Sequence, residues 1–143
     1  MNRRVVLMLV AALALAGAGA GASVLLRGHA VTPTGTVVPS AHGVFRVSYD
    51  TSLRPIPINT MHTWTVHIDD ADGRPVTDAT IQISGDMPGH GHGLPTAPQA
   101  RALGGGDYLL EGMQFQMSGD WYVDLEIQAA GKIDTLRIDF TIS

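Results

Sequence analysis

Apolar and polar residues alternate with a period of two along most of this chain. The clearest runs are Phe45-Arg46-Val47-Ser48-Tyr49, Trp64-Thr65-Val66-His67-Ile68, Ile81-Gln82-Ile83, Trp121 to Ile127 and Leu136 to Ile142, with a short apolar piece at Tyr108-Leu109-Leu110. Side chains on a strand point alternately to opposite faces, so each run offers one apolar face for burial. No long helical period separates them. Turn formers do: Asp70-Ala71-Asp72-Gly73-Arg74-Pro75, Gly104-Gly105-Gly106-Asp107, Ser118-Gly119-Asp120 and Ala130-Gly131-Lys132. Strands this short and this regularly spaced predict an all-β, immunoglobulin-like β-sandwich of about seven strands. Trp64 and Trp121, each on the apolar face of its run, are the expected core anchors.

The first residues follow another pattern. Asn2-Arg3-Arg4 precedes an apolar and small-residue run from Val5 to Leu26, which Arg27 closes. Its length suits a membrane-spanning helix, which needs about 20 residues. Its most apolar part, Val5 to Leu15, has signal-peptide length, and Ala20-Gly21-Ala22 is a small-x-small cleavage pattern. Residues 1–27 are therefore read as a signal peptide or a signal anchor. Either way Arg3 and Arg4 stay in the cytoplasm and the rest is exported. The expected location is the cell membrane with the domain facing the periplasm or exterior, or the periplasm itself if the leader is cleaved. Residues 28–43, rich in Gly, Pro, Thr and Ser, read as a flexible tether. Residues 44–143 form the domain.

Composition narrows the chemistry. Cysteine is absent, which excludes disulfides, thiolate metal sites and cysteine nucleophiles. Beyond Arg27, six Lys and Arg face thirteen Asp and Glu, a balance of −7 that repels nucleic acid and anionic lipid surfaces.

One segment stands apart from the strand pattern: Met87-Pro88-Gly89-His90-Gly91-His92-Gly93-Leu94-Pro95-Thr96. Pro and Gly preclude a helix there, so the two histidines are placed on a loop. With Gly91 extended, both imidazoles would face the same way and converge on one ion, and Met87 would fold back through the Pro-Gly turn. Thioether beside imidazole suits Cu(I) better than Mg or Ca, which prefer oxygen. The same run also reads as a solvated loop tip with Met87 tucked into the domain edge as an ordinary hydrophobe. If residues 62 to 69 and 79 to 84 form a hairpin through Asp72-Gly73, Met61 and His62 come to this loop as well. His62 is thus a candidate ligand, or else a strand-end residue bonded to backbone. Met113, Phe115 and Met117 share one face. Core filling is the default for the two methionines, with Met117 the better ligand candidate because it adjoins Ser118-Gly119. His67 is expected to face solvent without a role, and His29 and His42 to lie exposed in the tether.

The combination of His62-Thr63-Trp64, Asp72-Gly73-Arg74-Pro75-Val76, the Met87 to Thr96 segment, Gly106-Asp107-Tyr108 and Phe115 to Trp121 resembles the YtkA-like family, exported bacterial domains allied to FixH-type proteins. The resemblance covers most of the exported domain. It implies a β-sandwich on a membrane or signal segment, with links to copper handling or oxidase assembly.

The resulting expectation is an exported protein that holds or delivers Cu(I) to a copper-acceptor or membrane-protein partner, with Met87, His90, His92, Met117 and His62 as candidate ligands. A metal-free accessory module docking on a membrane complex is the alternative. No Gly-x-Ser-x-Gly elbow and no phosphate-cradling loop is present, so no enzymatic activity is expected.

Overall fold

The computed structural model describes residues 35–143; the apolar segment expected at 1–27 and the first part of the tether lie outside the described residues. Eight strands follow in chain order: β1 (Val37–Pro39), β2 (Phe45–Thr51), β3 (His62–Asp70), β4 (Thr80–Asp86), β5 (Gln99–Gly104), β6 (Asp107–Met113), β7 (Gly119–Ala129) and β8 (Lys132–Ile142). All pairings within the two sheets are antiparallel. The larger sheet has the order β1-β2-β3-β6-β5 and the smaller β4-β7-β8. Setting β1 aside, this is the four-plus-three arrangement of a constant-type immunoglobulin domain, as the alternating runs predict.

The alternation becomes burial. Trp64, Val66 and Ile68 of β3, and Trp121, Val123, Leu125 and Ile127 of β7, point inward and are almost completely buried, while their neighbours stand at the surface or partly covered. Aromatic rings gather near one end of this core. Tyr49 stacks on Trp64 at 5.5 Å, and Phe115 packs edge-on to Trp121 at 5.1 Å and to Phe140 at 5.2 Å. Such pairs add about 0.5–1.5 kcal/mol each beyond the area they bury.

Three expectations are corrected. First, β3 and β4 are not a hairpin: β3 pairs with β2 and β6, β4 with β7, so residues 71–79 cross between sheets. The crossing still returns the chain to the opposite end, so the start of β3 and the end of β4 share one end of the sandwich. Second, residues 35–43 do more than tether. Val37 to Pro39 pair with β2, and Ser40 is buried, its hydroxyl 2.6 Å from a carboxylate oxygen of Asp134. Third, β5 is an additional edge strand whose side chains are mostly exposed.

Candidate metal-binding end of the sandwich

Because neighbouring strands alternate in direction, the connections 52–61, 87–98 and 114–118 all lie at one end of the sandwich, beyond the aromatic cluster. The candidate ligands are distributed among these three connections and the strand ends beneath them.

Met87 roots the second connection. Its side chain is buried in the core, against Gly119, where a Cβ would stand 3.0 Å from the methionine methyl. Gly119 has φ +124°, so this close approach and this backbone both call for glycine. The domain-edge reading of Met87 is the one observed, in place of an exposed thioether on a loop.

From Met87 the chain turns sharply, the His90 N–H donating to the Met87 carbonyl at 3.1 Å. Gly91 adopts φ +62°, so the backbone is not extended between the histidines as expected. The rings nevertheless lie side by side, exposed, with centroids 6.2 Å apart and planes 19° from parallel. The far half of the connection is pinned. Leu94 N–H donates to the Gly85 carbonyl at 3.2 Å, Thr96 Oγ1 to the Gly112 carbonyl at 2.6 Å, and Gln116 Nε2 to the Gly93 carbonyl at 3.2 Å. Gln116 Oε1 is the one buried side-chain polar atom among the described residues without a partner. The histidine tip therefore projects between two fixed ends.

Metal–imidazole bonds of about 2.0–2.1 Å put a ring centre roughly 3 Å from the ion, so two rings on one ion stand at most about 6 Å apart. The observed 6.2 Å is at the outer edge of that range, so the two rings would have to turn their nitrogens toward each other to share one ion. Among the described residues no group of three or more His, Asp or Glu is arranged to hold a metal ion.

His62 has no nitrogen to spare. The indole Nε1–H of Trp64 donates to its Nε2 at 3.1 Å, which leaves the proton on Nδ1, 3.1 Å from the Thr60 carbonyl. It is buried and packs on Phe115 at 5.7 Å. Thus the structure places His62 as the strand-end, backbone-bonded residue. Met113 is buried as core filler. Met117 and Met61 are exposed; the Met117 carbonyl accepts from Trp121 Nε1–H at 3.0 Å, which fixes its backbone beside Gly119.

Two polar clusters at the opposite end escaped the sequence reading. His67 is held between two carboxylates, Nδ1 at 2.6 Å from buried Asp107 and Nε2 at 3.2 Å from Asp69. The His67-x-Asp69 spacing puts both on one strand face and could have been noticed; Asp107 arrives through the β3–β6 pairing, which has no local signal. Asp134, on β8, is buried and receives the Ser40 hydroxyl at 2.6 Å, the His42 backbone N–H at 3.0 Å and the His42 ring Nδ1 at 2.8 Å. Burial pushes its pKa upward, but the bonds from Ser40, His42 and the Thr135 backbone outweigh it and hold the carboxyl well below the usual range. His42 is exposed as expected, yet its ring is not idle.

A family model described as YtkA-like matches residues 45–126 of the chain. Among solved structures, the crystal structure of a DUF4426 family protein from Pseudomonas aeruginosa PAO1 is similar with a TM-score of 0.55 and 18% sequence identity, over 75% of this chain and 93% of that one. At that identity the likeness is one of fold. No curated protein matches the chain.

Proposed function

This chain belongs to the YtkA-like family, and from that premise we propose that it is an exported module that carries Cu(I) on the His90-His92 tip and hands it to a membrane-bound acceptor, such as a respiratory oxidase under assembly. The observation that supports this most is the pair of exposed imidazoles, side by side on a tip whose two ends are fixed.

Two neutral nitrogen donors suit a closed-shell monovalent cation, which accepts low coordination numbers and soft or borderline ligands. Such a site would be open to solvent on the outer side, so an acceptor ligand could approach before the first bond breaks. Exposed Met117, unlike buried Met113, has a thioether free to assist, because its side chain serves no core position. Met87 would have to leave its packing to do so, which makes it the root of the loop in this reading. Protons compete with the ion for imidazole nitrogen, so affinity should fall as the solution is acidified. The cargo is taken up and released, and no bond in a substrate is made or broken; the module is proposed as a carrier, not an enzyme.

Titration of the protein with Cu(I), Cu(II) and Zn in competition with a chelator tests this. One Cu(I) per chain, bound more tightly than either divalent ion, is the expected result. Failure of all three ions to bind would favour the metal-free accessory module, for which the structural use of Met87 and His62 already speaks.

A further inference from the structure

The end of the sandwich that carries the histidine tip is also the end at which the N-terminal segment joins the domain. Strand β1 runs antiparallel to β2, Val37 standing opposite Ser48 and Pro39 opposite Arg46. The chain before β1 therefore emerges past Tyr49, toward the end of β2, and Gly35 already lies against the Tyr49 backbone. Only residues 28–34 separate this point from Arg27 and the apolar run. Seven residues span at most about 25 Å when fully extended.

The same end differs from the rest of the surface in composition. Of the seven exposed large apolar side chains among the described residues, four are on its connections: Leu53, Ile58, Met61 and Met117. These connections hold a single charged side chain, Arg54, which pairs with Asp50 on the strand below; Asp86 and Asp120 also stand on strand ends beneath the rim. At the opposite end the 71–79 connection alone holds Asp72, Arg74 and Asp78, flanked on the strands by Asp69, Asp70, Asp107 and Asp134 and by the cations Arg46 and Lys132. A domain with a balance of −7 is repelled least by an anionic lipid surface when it approaches by the end whose connections carry a single charged side chain.

We infer that the retained N-terminal segment anchors the chain, and that the domain rests on the lipid bilayer by the Leu53, Ile58, Met61 and Met117 end. The occupant of this apolar end is the headgroup and upper acyl layer of the membrane. Four partly exposed side chains would not hold a free protein there, but the short tether keeps them at high local concentration, so they need only orient the domain. The histidine tip then faces the membrane surface, and anything it exchanges passes to a site at that level. This orientation does not depend on what the tip binds.

The absence of native cysteine allows single labels. Full-length Met61→Cys, Met117→Cys, Asp72→Cys and Thr77→Cys variants, each with one fluorophore, are reconstituted through the N-terminal segment into vesicles of phosphatidylcholine with a minority of phosphatidylglycerol. A quencher attached to the lipid headgroup should quench the labels at 61 and 117 several-fold more than those at 72 and 77. All four positions are exposed, so the substitutions leave the core intact. Equal quenching at both ends would overturn the inference, as would a leader removed in cells so that the domain leaves the membrane. Protection of 61 and 117 from the quencher in native membranes, but not in protein-free vesicles, would assign this end to a protein partner and also overturn it. A His90→Ala chain without Cu(I) binding should keep the same quenching pattern, which separates this inference from the copper reading.

Discussion

At the scale of single residues, stability and ligation are carried by different side chains. Met87 fills space against Gly119, so Met87→Ala should cost about 2–5 kcal/mol in the metal-free protein, as other buried truncations do. Met87→Leu keeps the volume and should cost less than about 1.5 kcal/mol. Urea unfolding of both variants checks this; equal, negligible losses would show that Met87 is not part of the core. Asp134 gives the acid limb of stability. Its carboxyl is held below the unfolded value of about 3.9, so its contribution is fully present above that pH and is lost as pH falls through the folded value. Asp50, lowered mainly by the Arg54 side chain, and Asp70, lowered mainly by the Arg74 backbone N–H, act in the same direction, but their exposed pairs are screened and contribute little. Urea midpoints measured from pH 7 down to about pH 2 should therefore fall more steeply for the native chain than for Asp134→Asn. Parallel curves would remove Asp134 from the account. The role of Asp134 is not legible in the sequence: an Asp in an alternating run looks solvated, and its partners lie about ninety residues away.

At the scale of elements, the alternating runs were sufficient for the strands that bury a face and silent for those that do not. β5, Gln-Ala-Arg-Ala-Leu-Gly, is an edge strand with nearly every side chain exposed, so no selection for alternation shapes it. β1 has three residues, too few for a period to appear. The β3–β4 connection was read as a hairpin because Asp72-Gly73 is a good turn, and a turn does form there, but the chain then leaves the sheet. Tyr108 holds that crossing in place. Its hydroxyl donates to the Val76 carbonyl and accepts from the Ala79 N–H, both at 2.8 Å, and burial pushes its pKa above the usual tyrosine value, so it stays a donor. Tyr108→Phe leaves both backbone groups without this partner and should cost about 1–3 kcal/mol. Chemical denaturation of the variant measures it, and a loss below experimental error would mean the crossing is fixed by packing alone.

At the scale of the whole molecule, the sandwich gathers the long connections of three strand pairs at one end, which brings the histidine tip, the exposed thioethers and the root of the N-terminal segment together. The Met87 to Thr96 segment could be singled out from sequence because so dense a run of Pro and Gly breaks the alternation of a strand. What each residue does there could not be read, since burial of Met87 and the Trp64 bond to His62 are products of tertiary packing. Among the described histidines, His90 and His92 are the two whose rings make no hydrogen bond, since those of His42, His62 and His67 are engaged. The most direct test is Cu(I) affinity, by chelator competition, of the native protein beside His90→Ala, His92→Ala and Met87→Leu. The account predicts that each histidine variant loses at least tenfold in affinity with an unchanged urea midpoint, while Met87→Leu binds as the native chain does. Native Cu(I) affinity in both histidine variants would contradict it.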